Sequence, residues 1–561
     1  MSCTAGLAGL VAKKKLSVLG LQGRELAVMV LLLLILFNAA FYAFTHVEGS
    51  TNYGDDANYL YLASAVTHGN FIENPGYIFS VRLMSFMPIA FFYEFFGISN
   101  LTSTLWNILS YLGTIVVAFY TVRLLYDEKA ALISAFLVSI FPLITKFAVT
   151  LGEDVPLAFL LSLAILLFLQ AERNRGRWRY FVSGALLVAA YLVSYEAAIM
   201  VLFLLIYALV QVLRKHIKID RDSLFFLYGI AIAFGLTFLF SAINSGMPFI
   251  TITTNARFYS GVGTTVNGLP TIPTADTNLS YYPAAMFQYA LLTILLNSNG
   301  NLQNALINMQ NVIFAENNPS SYGLYFYLVI PAGAAVLLMD RLKDKRSYLL
   351  FAWLVFGVLL LEFGPMHVGI SFNPLQLTYL LAHRIDRFMM IVTVPLCGVI
   401  GIALSKAVNP KSRLLPLGAG LLLFLFVLLY ANNLMVSNFW YYWQYYPESL
   451  TLQAANFLRP YAYNTTIYVE GLYNQGAVSF AGANFPSYLG FPSDPHYLLV
   501  PANVSCSTFD NMSYVIWSGN PGCSRLTNVL NITTPSYIPQ YIVQDELPGL
   551  IYPPTNVYHT S

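Results

Sequence analysis

The 561 residues are 57% hydrophobic and only 10% charged, with a formal net charge of +2, whereas a soluble globular chain carries about 25% charged residues. A chain this long cannot build a water-soluble surface from that composition. A net charge so near zero also gives no ground for a nucleic-acid partner.

The apolar runs sort into about eleven spans of roughly 17–25 residues, the length that crosses a hydrocarbon core. They fall at 26–45, 103–123, 130–147, 156–171, 179–196, 197–213, 223–243, 322–339, 347–363, 387–405 and 414–434. The first is too long for a signal peptide and lacks a small-residue cleavage site, so it reads as a retained anchor. The run 83–97 is short, carries Glu94 and is interrupted by Pro88. Counting it as a span would turn every later basic loop outward, so it is expected to lie in the outer interface.

Lys and Arg set the orientation. With the N-terminus in the cytoplasm, 21 of the 28 basic residues fall in inner segments, as the positive-inside rule requires. An odd number of spans then puts the tail outside. The expectation is a multi-pass protein of a prokaryotic cell membrane with an extracytoplasmic C-terminal domain. The sequons at Asn100, Asn278, Asn464, Asn503, Asn511 and Asn531 all fall in outer segments and are candidates for glycosylation. Cys506 and Cys523 are the only Cys of the tail, where a disulfide is permitted and expected.

The segments 46–101 and 244–321 are far longer than ordinary connections, which marks them as functional or disordered. Within the second, partial helices are expected at 282–298 and 301–315. The tail, 435–561, has six acidic residues, two Arg and no Lys. A helix at 448–459 and strand-like runs at 466–470, 496–500, 513–517 and 540–544 suit a small α/β domain. The chain thus divides into a mainly α transmembrane domain, 1–434, and an outer α/β domain, 435–561.

Three charged clusters could carry chemistry. Asp55-Asp56 stands just beyond the first span; paired carboxylates beside a membrane handle a proton or a cation, but Asp opening a helix at 57–68 is also an ordinary cap. Glu153-Asp154 precedes Val155-Pro156, where capping is again the plain account, although Lys146 and Glu196 stand at the same outer boundary and boundary charges tend to be functional. His383-Arg384-Ile385-Asp386-Arg387 opens the tenth span. Its two Arg suit either a forked grip on phosphate or interfacial snorkelling. Arg82 is a further member of this basic set.

With Tyr59-Leu60-Tyr61-Leu62-Ala63 after the first acidic pair, the chain resembles the GT-C membrane glycosyltransferases, nearest to the protein O-mannosyltransferase and aminoarabinose-transferase branch. Arg82 before a stretch ending in Phe96-Gly97 fits that style. So do Leu151-Gly152-Glu153-Asp154-Val155-Pro156-Leu157, the run from Ser183-Gly184-Ala185 to Ser194-Tyr195, and the mouth Arg384–Pro395. It departs where Tyr195-Glu196 replaces the family's usual Lys. The resemblance covers residues 26–405 in organisation. It implies transfer of a hexose or pentose from a polyprenyl (dolichyl or undecaprenyl) phosphate donor to a hydroxyl on a protein or glycolipid, with inversion. Asp55 would be the catalytic base and Asp56 its neighbour; Arg82, Lys146, Arg384 and Arg387 would hold the donor phosphate, supported by Glu153, Asp154 and Glu196. No cofactor is required by that chemistry; a divalent metal at the acidic pairs belongs to the alternative, an oligosaccharyltransferase-like enzyme. The other rivals are a transporter or flippase, which would usually show repeats and broken helices, and a non-catalytic homologue.

Overall fold

In a computed structural model the described residues are 23–47, 55–75, 77–174, 176–213, 221–261, 265–266, 269–270, 328–329, 331–334, 348–363, 365–372, 375–381 and 386–407, isolated positions up to 457, and 466–470, 497–500, 505–518, 522–532 and 555–560. The helices are α1 (Gly23–Thr45), α2 (Asp55–Thr67), α3 (Leu83–Phe96), α4 (Asn100–Leu125), α5 (Glu128–Ser139), α6 (Pro142–Val149) and α7 (Asp154–Asn174), then α8 (Arg177–Tyr191), α9 (Ala197–Leu213), α10 (Leu224–Ser245), α11 (Ile250–Gly261), α12 (Tyr348–Phe363) and α13 (Thr393–Ala407).

Local chemistry explains the helix ends near the site. Ser99 opens α4 with a reciprocal capping box on Thr102. Asp127 caps α5 by accepting from Ala130 N–H at 2.8 Å. Pro142, at the first position of α6, separates it from α5 and leaves the pair bent by 53°.

Among the described residues five helices are long and apolar enough to cross a membrane, or six if the α5–α6 pair is one span. Their outer faces show why they need lipid: Leu33, Phe37, Leu236 and Ile243 are 60%, 71%, 62% and 78% exposed. The chain is an integral membrane protein. The expected spans at 26–45, 103–123, 156–171 and 223–243 coincide with α1, α4, α7 and α10, and that at 130–147 with the bent pair. Most of the span at 414–434 and most of that at 322–339 lie outside the described residues, as do the partial helices at 282–298 and 301–315. The run 83–97 is a helix, α3, which buries Leu83, Phe86, Ile89 and Tyr93.

Three features were not legible in the sequence. Ile250–Gly261 is a helix near the start of the long segment 244–321. Two hairpins follow, both antiparallel: Thr265–Val266 (β1) with Leu269–Pro270 (β2), and Pro365–Phe372 (β3) with Leu375–Leu381 (β4).

Two glycines make a close helix crossing. A Cβ on Gly184 of α8 would lie 2.2 Å from Phe226 O, and one on Gly229 of α10 would lie 2.0 Å from Phe181 O. Close backbone approach of this kind is how small residues hold membrane helices together. Gly229→Val is expected to destabilise the protein by about 2 kcal/mol or more, because neither backbone can yield without moving its helix. Gly235→Ala, on the same helix with nothing within 4 Å, is the control and should be neutral or slightly stabilising. Thermal unfolding of both variants in detergent checks this; equal melting would show that the crossing is loose.

In the tail, Ile467–Glu470 (β5), Tyr497–Val500 (β6), Tyr514–Ser518 (β7), Leu526–Ile532 (β8) and Thr555–Thr560 (β9) form a mixed sheet of order β6-β5-β7-β9-β8. β5 runs parallel to β6 and β7, while β9 is antiparallel to β7 and β8. Three strands stand where the sequence placed them. β8 and β9 did not show in it, and the run at 540–544, like all but one residue of the helix at 448–459, lies outside the described residues. A small core of Tyr468, Phe509, Val515, Cys523 and Tyr558 lies against the sheet. Cys506 opens the short turn that leads to Phe509. Cys506 and Cys523 are expected to resist alkylation until reduced, a crosslink worth roughly 3 kcal/mol for so short a loop. Labelling of both thiols in the native protein would count against the pairing.

Candidate active site

Three segments distant in sequence meet at one end of the helix bundle. Tyr59 lies one turn into α2, Arg82 follows the 3-10 turn Ile78–Val81, and Glu153 closes the turn before α7. The side chains of Arg82 and Glu153 are 9% and 4% exposed. The Tyr59 hydroxyl donates to Glu153 Oε2. Arg82 Nη1 donates to that same oxygen and, at 2.9 Å, to the Tyr59 hydroxyl oxygen. The guanidinium also lies 5.6 Å from the Phe79 ring centroid. Glu153 therefore spends its side chain on Arg82 and Tyr59, and capping of α7 does not account for it.

The supports of this cluster are visible one layer out. Asn107 of α4 donates through Nδ2 to Phe147 O at 3.1 Å, Thr150 O at 2.9 Å and Gly152 O at 3.0 Å. That one amide pins the turn that presents Glu153. On the Arg82 side, Ser80 Oγ takes the Asn74 N–H at 2.9 Å and donates to Tyr77 O at 2.8 Å, while the Tyr77 hydroxyl donates to Asn58 of α2. Met84 N–H reaches Leu192 O at 3.1 Å, and Ser85 Oγ reaches Val193 O at 3.2 Å. The start of α3 is thereby fixed to the turn that leads to the buried Glu196.

The other expected site residues fall around this cluster as follows. Asp55 opens α2 one helical turn before Tyr59, and Asp56 follows it; only their backbone is described. Asp154, 3% exposed, is the first residue of α7. Lys146, 8% exposed, has its Nζ 4.6 Å from the Phe147 ring centroid. The 3-10 turn Asp386–Val392, which carries Arg387, packs against α6 and α7, and of Arg387 only the backbone is described. Arg384 lies outside the described residues. Of the sequons, Asn278, Asn464 and Asn503 lie outside the described residues, Asn100 opens α4 and Asn531 stands in β8. Asn511 is exposed and accepts a hydrogen bond from Arg525.

The opposite end of the bundle is where the basic residues gather. Arg123 pairs with Glu128 at 2.9 Å, Arg177 pairs with Asp222 at 2.5 Å, and Lys406 Nζ lies 5.4 Å from the Tyr126 ring centroid. The Asp386–Val392 turn and α13 together thus lead from the Glu153 end, at Asp386, to the Arg123 end, at Ala407. One end holds the acidic motifs and the turn of Arg387; the other holds the ion-paired arginines.

Residues 81–241, from the residue before Arg82 through most of α10, match the family model described as dolichyl-phosphate-mannose-protein mannosyltransferase. The chain also resembles the arabinofuranosyltransferase AftD from Mycobacteria, at 13% identity and a TM-score of 0.52, over 96% of this chain and 42% of that one. The chain shares the fold of this glycosyltransferase. A second structure of the same fold, the Archaeoglobus fulgidus oligosaccharyltransferase tethered with an acceptor peptide, aligns at 14% identity and a TM-score of 0.51 over 81% of this chain and 63% of that one. ArnT from Cupriavidus metallidurans bound to undecaprenyl phosphate aligns over 96% and 98% of the two chains at 13% identity, with a TM-score of 0.45, too low to carry weight. The chain spans less than two thirds of the oligosaccharyltransferase and under half of AftD. Comparison with curated sequences finds no match.

Sequence reasoning missed Tyr59 as a partner of the acidic turn and missed Asn107 altogether. The signal for Asn107 was present: an amide near the start of an apolar span seeks a buried partner.

Proposed function

We propose that this GT-C chain is a membrane glycosyltransferase that moves a sugar from a polyprenyl-phosphate donor to a hydroxyl acceptor on the outer face of the membrane, with inversion. The observation that carries the reading is the convergence of the two acidic motifs. Tyr59 and Arg82 of the first outer segment meet Glu153 of the second, and Asp55 stands one turn before Tyr59 on the same helix. Asp55 takes the proton of the acceptor hydroxyl as that oxygen attacks the anomeric carbon, and Asp56 orients it. The leaving phosphate gains negative charge and needs fixed cations; Arg384, Arg387 and Lys146 supply them. Glu153 neutralises and orients Arg82, which faces the same phosphate, with Asp154 and Glu196 completing the acidic surround. The N-terminus is cytoplasmic and the tail outside. The acceptor is a protein or glycolipid.

The reaction so written draws its base and its cations from side chains. Glu153 Oε2 is already shared by a guanidinium and a phenol, and a guanidinium alongside disfavours a second cation there.

The test uses the protein in lipid nanodiscs with a synthetic undecaprenyl-phosphate sugar. Arg384→Ala and Arg387→Ala are each expected to weaken donor binding by a few kcal/mol, since each removal leaves a phosphate charge unpaired in a partly dry site. Unchanged affinity in both variants would assign these arginines to snorkelling. Transfer is expected to persist in a chelator. Loss of transfer restored by a divalent ion would turn the reading to the oligosaccharyltransferase-like alternative.

A further inference from the structure

The first outer segment carries a second buried carboxyl that the chemistry above does not use. Glu73 is 2% exposed. Its Oε1 accepts from Ser241 Oγ at 3.1 Å, its backbone N–H donates to Asn244 Oδ1 at 2.7 Å, and Asn244 Nδ2 donates back to Phe71 O at 3.0 Å. These bonds tie residues 71–73 to the last turn of α10. From there the loop runs through the Asn74–Ser80–Tyr77 hydrogen bonds to Arg82.

Among the described residues Glu73 Oε2 has no hydrogen-bond partner, and no Lys or Arg pairs with the carboxyl. Among the described residues, the groups that other helices bring to this segment are Ser241, Asn244 and Ser245 from α10 and Thr254 from α11, which bonds Pro75 O at 3.4 Å. None of them titrates. An ionised carboxylate in such a place gives up its water without gaining a cation, and the group takes a proton instead.

We propose that Glu73 is held as a neutral carboxylic acid and is the clasp that fastens the Arg82-bearing loop to the end of α10, a positioning residue for the site. Burial pushes the Glu73 carboxyl above its ordinary value, with the Ser241 and Ser245 hydroxyls pulling back in part. The sign follows from the raised value. The clasp contributes fully below the ordinary carboxylate pKa and is lost as pH rises through the raised one.

The proposal rests on the transfer reading only for its consequence at Arg82, so its test reads the clasp itself. In nanodiscs at neutral pH, the infrared difference between wild type and Glu73→Gln should show the carbonyl band of a protonated carboxylic acid. Hydrogen exchange over residues 69–77 should stay within about twofold of wild type in Glu73→Gln, and rise about tenfold or more in Glu73→Ala. Ser241→Ala, which removes the donor from the other side, should loosen the same residues while α10 stays protected. Absence of the acid band overturns the proposal. So does a Gln variant as open as the Ala variant, or an Ala variant as closed as wild type. Failure of the transfer reading would leave all three measurements unchanged.

Discussion

Asp55→Asn is expected to lower transfer from a polyprenyl-phosphate sugar by about a hundredfold or more while leaving expression and fold intact. Positioned general bases contribute about 10²–10⁴-fold, and Asn keeps the size and much of the helix-opening ability of Asp. The loss should appear in kcat and in kcat/KM together, because the interaction removed is made as the acceptor proton moves. Asp56→Asn should cost less, acting only through the orientation of its neighbour. A different result would be equally informative. If Asp55→Asn transfers normally while Asp154→Asn does not, the base sits at the start of α7. If neither matters and no lipid-linked sugar binds, the transporter or the non-catalytic reading takes over.

The second large effect is expected at the buried ion pair. Arg82→Met alone leaves the Glu153 carboxylate 4% exposed without its cation, and should destabilise the protein by about 3–5 kcal/mol. Glu153→Leu alone strands the guanidinium and should cost as much. The double variant, Arg82→Met with Glu153→Leu, removes both charges and should recover most of the stability, since apolar replacement of a buried pair is often neutral or better. Transfer should stay lost in the double variant. Melting temperature and donor turnover measured on the same four proteins separate the two roles. A double variant that regained transfer with its stability would show the pair to be architecture only.

Much of the scaffold could be read from composition and spacing, because lipid leaves few choices. A run such as 224–245 must satisfy its own backbone as a helix, whatever its neighbours do. The acidic turn and Arg82 were legible for a related reason: charges at a membrane boundary stand out against apolar surroundings. Their pairing was not, since Glu153 lies 71 positions from Arg82 and capping explained it as well on local grounds. Glu73 was unreadable for the opposite reason. In sequence it is one acid among polar loop residues, and only the fold reveals that Ser241 and Asn244 enclose it. The hairpin of β3 and β4 was hidden because residues 365–381 hold no Asp, Glu, Lys or Arg to mark its ends.

The glycine crossing of α8 and α10 has a mechanical consequence. Two backbones in contact at Gly184 and Gly229 cannot slide past each other, but they can tilt, so the contact behaves as a fulcrum. Ser241 lies twelve residues along α10 from Gly229, an arm of about 18 Å at 1.5 Å per residue. A tilt of about 10° would swing its end by about 3 Å, as much as the hydrogen bond between Ser241 and Glu73 is long. Small rotations deep in the bundle would therefore arrive at the first outer segment as the opening or closing of a single latch.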